Sequence, residues 1–275
     1  NESDIIDNCQ KSQGIISDET IISMHPWVDD PQLEMERLKK QKEEAQQGDI
    51  LFQQMLQTTD RTQIVPMLTR HINMSVAEVT EQYADLLVRT TDGLFGEHLR
   101  PMRQSIRTLN KSKRELKNLR RRETLCLRRA EPPVAGIRLS TNFHLIHNSL
   151  RQMLYGLIRI AEPAYEHVDN HFSPIDATFA ARYTKLRTEF TELIAEIAGN
   201  FRNQRSEDND ALMARCSEIR SELHNLGQEI GVAIQTTDVN LTAITLMLHL
   251  VQETEQLLVE VKELLKNTKL YREMV

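Results

Sequence analysis

Between Val65 and Thr90 an apolar or small side chain returns every three or four positions, at Val65, Leu68, Ile72, Val76, Val79, Tyr83, Leu86 and Thr90. A stripe of that period and length predicts a long helix that buries one side against neighbours of its own kind. The signal returns over about 97–130 (Leu99, Met102, Ile106, Leu109, Leu116, Leu119, Leu127) and about 137–171 (Phe143, Ile146, Leu150, Met153, Leu157, Ile160, Ala164, Val168). Three further helices are expected over about 175–202, 207–235 and 237–270, the last with Ile244, Met247, Val251, Leu258, Val261 and Leu265 as its core.

Breaks fall between these stretches. Gly93 and Gly96 interrupt the first stripe, and Glu131, Pro132, Pro133 and Gly136 separate the second from the third. Ser173 with Pro174 is a start signal for the fourth helix, the SEDNDAL stretch gives the fifth an acidic start, and Thr237 or Asp238 can cap the sixth. Pro163 lies inside the third helix. It removes the backbone bond to the Arg159 carbonyl and predicts a kink rather than a stop.

Six helices of 25–35 residues on short connections pack as antiparallel bundles. The expected fold is all-α: two tandem antiparallel three-helix bundles at 61–173 and 174–275, preceded by a linker-like segment, 1–60. That segment carries one charged helix at 33–57 and an irregular start in which Pro26 and Pro31 flank Trp27. Only 9 glycines and 5% aromatic residues disfavour a turn-rich sandwich or barrel.

A net charge of −6 gives no overall field toward nucleic acid, which is not expected as a partner. The 3 cysteines stand far apart without metal-ligand spacing, and read as free thiols in a reducing compartment. There is no glycine-rich phosphate loop, no G-x-S-x-G and no H-E-x-x-H, so no catalytic function is expected. The most apolar piece, LTAITLMLHLV at 241–251, is too short to span a bilayer. The chain opens on Asn1-Glu2 rather than Met, which reads as an excised piece of something longer and allows a membrane portion upstream.

Three clusters carry candidate chemistry. In AYEHVDNHF (164–172) and the residues just before it, Glu162, Glu166 and Asp169 fall at i, i+4 and i+7, with His167 and His171 on the adjacent stripe. A second acidic stripe holds Glu78, Glu81, Asp85 and Asp92. Such carboxylates can hold a hard or borderline cation, with imidazole assisting, and two acidic faces in one bundle can share ions. Each stripe read alone is more simply the solvated face of a bundle helix. The third cluster, KSKRELKNLRRRETLCLRR (111–129), presents Lys111, Lys113, Arg114, Lys117, Arg120, Arg121 and Arg122 to a lipid surface or an acidic partner, unless the surplus acids elsewhere in the chain neutralise them. His144 and His147 lie on or beside the apolar stripe of the third helix, where a buried, hydrogen-bonded histidine is expected rather than a ligand.

The stretches LRQMLYGLIRIAEPAYEHVDNH (150–171), LMLHLVQETEQLLVEVKELLKNTKLYRE (246–273) and TTDGLFGEHLRPMRQ (90–104) resemble the C-terminal soluble region of PiT-family inorganic phosphate permeases, particularly the long type found in Bacteroidetes. The aromatic residue followed by Glu166-His167-Val168-Asp169-Asn170 is the most specific part, and the resemblance covers about 65–275. It implies a PhoU-like domain at the cytoplasmic face of the inner membrane, regulating a cation-coupled phosphate transporter by helix packing. Its implied partner is the transmembrane portion of the same transporter, with the membrane surface and a second copy as further contacts. PhoU-like proteins hold iron or another divalent metal on E-x-x-x-D motifs. Glu81 with Asp85 matches that motif, while Glu162 with Glu166 is a variant of it and Glu192/Glu196 and Glu218/Glu222 lack the closing Asp. A free-standing PhoU-like regulator of phosphate uptake and a helical scaffold without a phosphate link are the alternatives.

Overall fold

The structure, a computed structural model, describes residues 9, 17–24, 31–130, 136–203, 209–236 and 240–275. The expected features at Pro26–Trp27, Glu131–Pro133, Ser206–Asp208 and Thr237–Asp238 lie outside the described residues. Among those described, all regular structure is helical. We number the helices α1 (Asp18–Ser23), α2 (Pro31–Gln57), α3 (Ile64–Phe95), α4 (Leu99–Arg129), α5 (Gly136–Asp169), α6 (Ala177–Arg202), α7 (Asn209–Thr236) and α8 (Leu241–Arg272), with a 3-10 turn at Arg61–Gln63. The chain divides into two compact units, Asn1–Gln54 and Met55–Val275. In the first, Ser17 caps α1 by accepting the Thr20 N–H. The expected boundary at 173 falls inside the second unit.

Within that second unit α3, α4 and α5 each touch the other two, as do α6, α7 and α8, the α6–α8 contact being the lightest. The two triads join along α3–α6 and α5–α8. Cross-helix pairs fix the directions. Arg187 meets Asp92 and Arg202 meets Glu81, so α3 and α6 run antiparallel. Arg159 meets Glu253 and Asn240 meets Ser173, so α5 and α8 do too. This is an all-α bundle, as the helical periods require.

Helix α4 shows how the sequence produces the packing. Its buried positions Met102, Ser105, Leu109, Ser112, Leu116, Glu123 and Cys126 follow a three-four alternation, with half-buried Leu119 completing the register. That is the narrow seam of an outer helix held by its two triad neighbours. Helix α5, which faces both triads, buries a wider face that includes Phe143, Ile146, Leu150, Met153, Leu157 and Ile160. Burying each Leu or Phe of this kind is worth about 1.5–3 kcal/mol.

Pro163 does not stop α5. It deprives the Arg159 carbonyl of its helical donor, and His249 Nε2 of α8 donates to that carbonyl instead, at 2.9 Å. The expected interruption at Gly93 and Gly96 is replaced by a different geometry. Gly93 lies inside α3, where an added Cβ would collide with the Met102 side chain at the start of α4. The left-handed residue that ends the helix is Glu97, at φ 55°. Its N–H reaches the Leu94 carbonyl and the His98 N–H reaches Gly93, the paired bonds that close a helix C-terminus. Helix α6 begins later than Ser173–Pro174 suggests, because the Asp176 carboxylate accepts from the Thr178 and Phe179 N–H groups and sets the cap there. Asn240 caps α8 by accepting from Ala243 N–H.

Candidate functional site

The AYEHVDNHF stretch closes α5. His171 takes the left-handed conformation at φ 53°, its N–H bonded to the Val168 carbonyl and the Phe172 N–H bonded to His167. His167 is buried, its Nε2 donates to the Ser173 carbonyl at 2.9 Å, and its ring packs on Phe172 with centroids 5.5 Å apart. The histidine therefore pins the α5–α6 turn. Arg103 Nη2 donates to the Tyr165 hydroxyl at 2.9 Å, and that hydroxyl donates to Asp169 Oδ1 at 3.3 Å. Glu162, Glu166 and Asp169 are exposed.

On α3, Glu78 and Asp85 are exposed, whereas half-buried Glu81 accepts from Arg202 Nη1 and Nη2, each at 2.5 Å. Asp92 is held by Arg187, whose Nη1 also donates to Thr91 Oγ1 at 2.6 Å. Two members of this stripe thus serve the seam between triads. Among the described residues no three His, Cys, Asp or Glu side chains converge as a metal-ligand set.

The polar cluster at the centre of the first triad was not foreseen. Glu123 of α4, its side chain 1% exposed, accepts from His71 Nδ1 of α3 at 2.7 Å and from His147 Nε2 of α5 at 2.6 Å. Burial alone pushes the Glu123 carboxyl up. The bonds from His147 and His71, with the charges those rings carry when protonated, outweigh it and hold the carboxyl below its ordinary value. Burial and the Glu123 charge together push the Cys126 thiol up to about 11. His147 is the buried, bonded histidine that its place on the stripe predicts, while His144 is exposed. The available signal for Glu123 is its register: it stands four residues after Leu119 and three before Cys126, on the seam of α4.

The basic segment divides by face. Lys111 pairs with Glu115 at 3.0 Å in the open, an arrangement worth little. Arg114 and Arg121 are exposed and Arg122 is half-buried. Lys113, Lys117 and Arg120 line a cavity of about 250 Å³ between α4 and α5, joined there by Arg151, Tyr155, Leu116, Leu154 and His147. Lys113 Nζ lies 5.9 Å from the Tyr155 ring centroid. A cavity of about 230 Å³ between α3 and α4 is lined by Glu78, Glu115, Ser75, Gln82 and Tyr83 among others. No described helix is long and apolar enough to cross a membrane.

A family model described as phage portal protein, SPP1 Gp6-like, matches residues 1–48. The match covers 48 of 275 residues and leaves the six-helix unit untouched, so it does not place the chain in that family. No curated protein and no solved structure matches the chain.

Proposed function

We propose that this chain is the accessory domain of an inorganic phosphate permease, lying at the cytoplasmic face of the membrane and regulating transport by packing against the transmembrane part of the same transporter. One observation carries the reading. The two longest stretches that resemble the permease region, 150–171 and 246–273, fall on α5 and α8, which pack along each other in the fold. Their contacts involve residues of the quoted stretches themselves: His249 on the Arg159 carbonyl, and Glu253 on the Arg159 guanidinium at 2.8 Å. A resemblance carried by two segments that form one joint supports common architecture better than the same residues scattered over unrelated faces. The lever in this reading is the seam between triads, where Arg187 and Arg202 of α6 hold Asp92 and Glu81 of α3. A shift of one triad must break or remake those pairs.

Cell fractionation and blotting with an antibody to this domain tests the reading. A band far heavier than 31.9 kDa in the detergent-soluble membrane fraction is the expected result. A soluble band near 31.9 kDa would remove the transporter from the proposal.

A further inference from the structure

Lys113, Lys117 and Arg120 stand at i, i+4 and i+7 of α4 and so share one face, and Arg151 of α5 enters the same cavity. The remaining wall is Leu116, Leu154, Tyr155 and His147, so no carboxylate lines it. Among the described residues none of the four cations is paired with a carboxylate; Arg151 Nη2 donates to Asn148 Oδ1 at 2.6 Å instead. Five other arginines do meet carboxylates: Arg159 with Glu253, Arg182 with Glu229, Arg187 with Asp92, Arg202 with Glu81 and Arg215 with Glu196. What sets this group apart is its concentration in a chain of net charge −6: four like charges around one concavity repel unless an anion joins them.

A second observation points to the same cavity. His147 is 3% exposed, and its Nε2 is engaged by Glu123. Its Nδ1 is buried with no hydrogen-bond partner. Buried polar atoms are rarely left so. With Nε2–H given to Glu123, this nitrogen of the cavity wall accepts in the neutral ring, and the O–H of a monohydrogen phosphate is a donor it can take.

We propose that this cavity binds a phosphate group. A tetrahedral dianion offers several acceptor oxygens, which the guanidinium forks of Arg120 and Arg151 can share while the ammonium groups of Lys113 and Lys117 supply point charge. A single carboxylate would neutralise only one of four charges. Tyr155, 42% exposed, and Leu154 give an apolar wall for whatever the phosphate is attached to. The site is argued from the groove alone and stands whether or not the chain belongs to a permease. The phosphate can come from solution or from a lipid headgroup, and the two sources are separable.

The test uses the full 275-residue chain at low ionic strength. Inorganic phosphate is titrated in by calorimetry against matched chloride, and co-sedimentation is measured with phosphatidylcholine vesicles with and without phosphatidic acid. Wild type is expected to bind free phosphate or the phosphatidic acid vesicles, and an R120Q/R151Q variant with an unchanged far-UV spectrum is expected to lose at least tenfold. Binding of free phosphate names a solution ligand, and binding of acidic vesicles alone names a headgroup. A control with equal charge loss on exposed positions of the same helix, R114Q/R121Q, should stay within twofold of wild type. Binding of neither probe, equal binding by R120Q/R151Q, or an equal loss in the control overturns the proposal.

Discussion

Replacing Glu123 with alanine tests whether a buried polar cluster holds α4 in place. The side chain is 1% exposed and accepts two short hydrogen bonds, from His71 and His147. Truncation leaves two buried imidazole donors without an acceptor, at about 1–3 kcal/mol each. It also removes the packing of one methylene, about 0.8 kcal/mol. Against this stands the carboxylate's own desolvation penalty, several kcal/mol by order of magnitude, which the variant no longer bears. Broken buried pairs lose on balance, so the expected cost is about 3–5 kcal/mol. For a chain of this size that lowers Tm by roughly 6–20 °C. Urea unfolding followed by far-UV circular dichroism, with the slope unchanged, measures it directly. A loss below about 1 kcal/mol would refute the reasoning, since it would mean that both imidazoles find other partners at no cost. The companion variant H71L/E123L/H147M removes every polar member together and should be more stable than E123A. If it is equally unstable, packing rather than orphaned donors sets the cost.

The same group has a pH signature. Its folded-state pKa lies below the ordinary carboxylate value, so its contribution is fully present above that value and is lost as pH falls through the folded one. The stability advantage of wild type over E123Q should therefore shrink below about pH 4, the ordinary glutamate range, in a series of urea curves. An advantage that grows on acidification refutes the assignment.

Three further perturbations follow from the fold. Glu97 and His171 occupy left-handed positions that glycine tolerates better, so E97G and H171G should each stabilise by about 0.5–1 kcal/mol, read as a rise in Tm; a fall would reveal a role for the side chain. A double-mutant cycle on Glu81 and Arg202 should give a coupling of about 1 kcal/mol that weakens with added salt, and no coupling would remove the pair from the seam. H249L leaves the Arg159 carbonyl without its donor and should cost about 1–2 kcal/mol, and adding P163A, which restores a backbone N–H, should recover most of that in thermal melts; no recovery would mean that the imidazole acts by packing.

The number, order and approximate limits of the long helices were legible because a period of three and four belongs to each segment by itself, whereas the short α1 lies in a stretch expected to be irregular. The terminal turns were less so. Gly93 and Gly96 read as interruptions of the first stripe, but Gly93 lies inside α3 and the left-handed residue that ends the helix is Glu97. The polar contacts were hidden for a different reason: their partners are remote in sequence. Glu123 meets His147 and His71 at separations of 24 and 52 residues, and Glu81 meets Arg202 across 121. An acidic stripe reads the same in sequence whether it faces water, a cation or an arginine of another helix. Only packing distinguishes them, and for Glu81 and Asp92 it selects the arginine. Arg151 and Tyr155 escaped notice because the basic run draws the eye to α4, while the cavity is completed from α5.

The distribution of charge follows from the topology. Helices α3, α5, α6 and α8 form the seam between triads, and their opposite charges meet there, Arg187 with Asp92, Arg202 with Glu81 and Arg159 with Glu253. Helix α4 has α3 and α5 as its main neighbours, and Lys113, Lys117 and Arg120 on its α5-facing side meet no carboxylate among the described residues. Besides its apolar seam, α4 is fastened inside the triad by the polar contact of Glu123 with His71 and His147. His147 therefore has two faces in the structure: one nitrogen secures α4, and the ring also walls the basic cavity. Anchoring of the helix and occupation of the cavity are then contiguous, and contiguity by itself does not establish coupling. E123Q separates the two. It keeps an acceptor for one histidine while removing the buried charge, so a loss of stability with phosphate binding intact would show that the two roles are independent, and a parallel loss would show that the imidazole transmits one to the other.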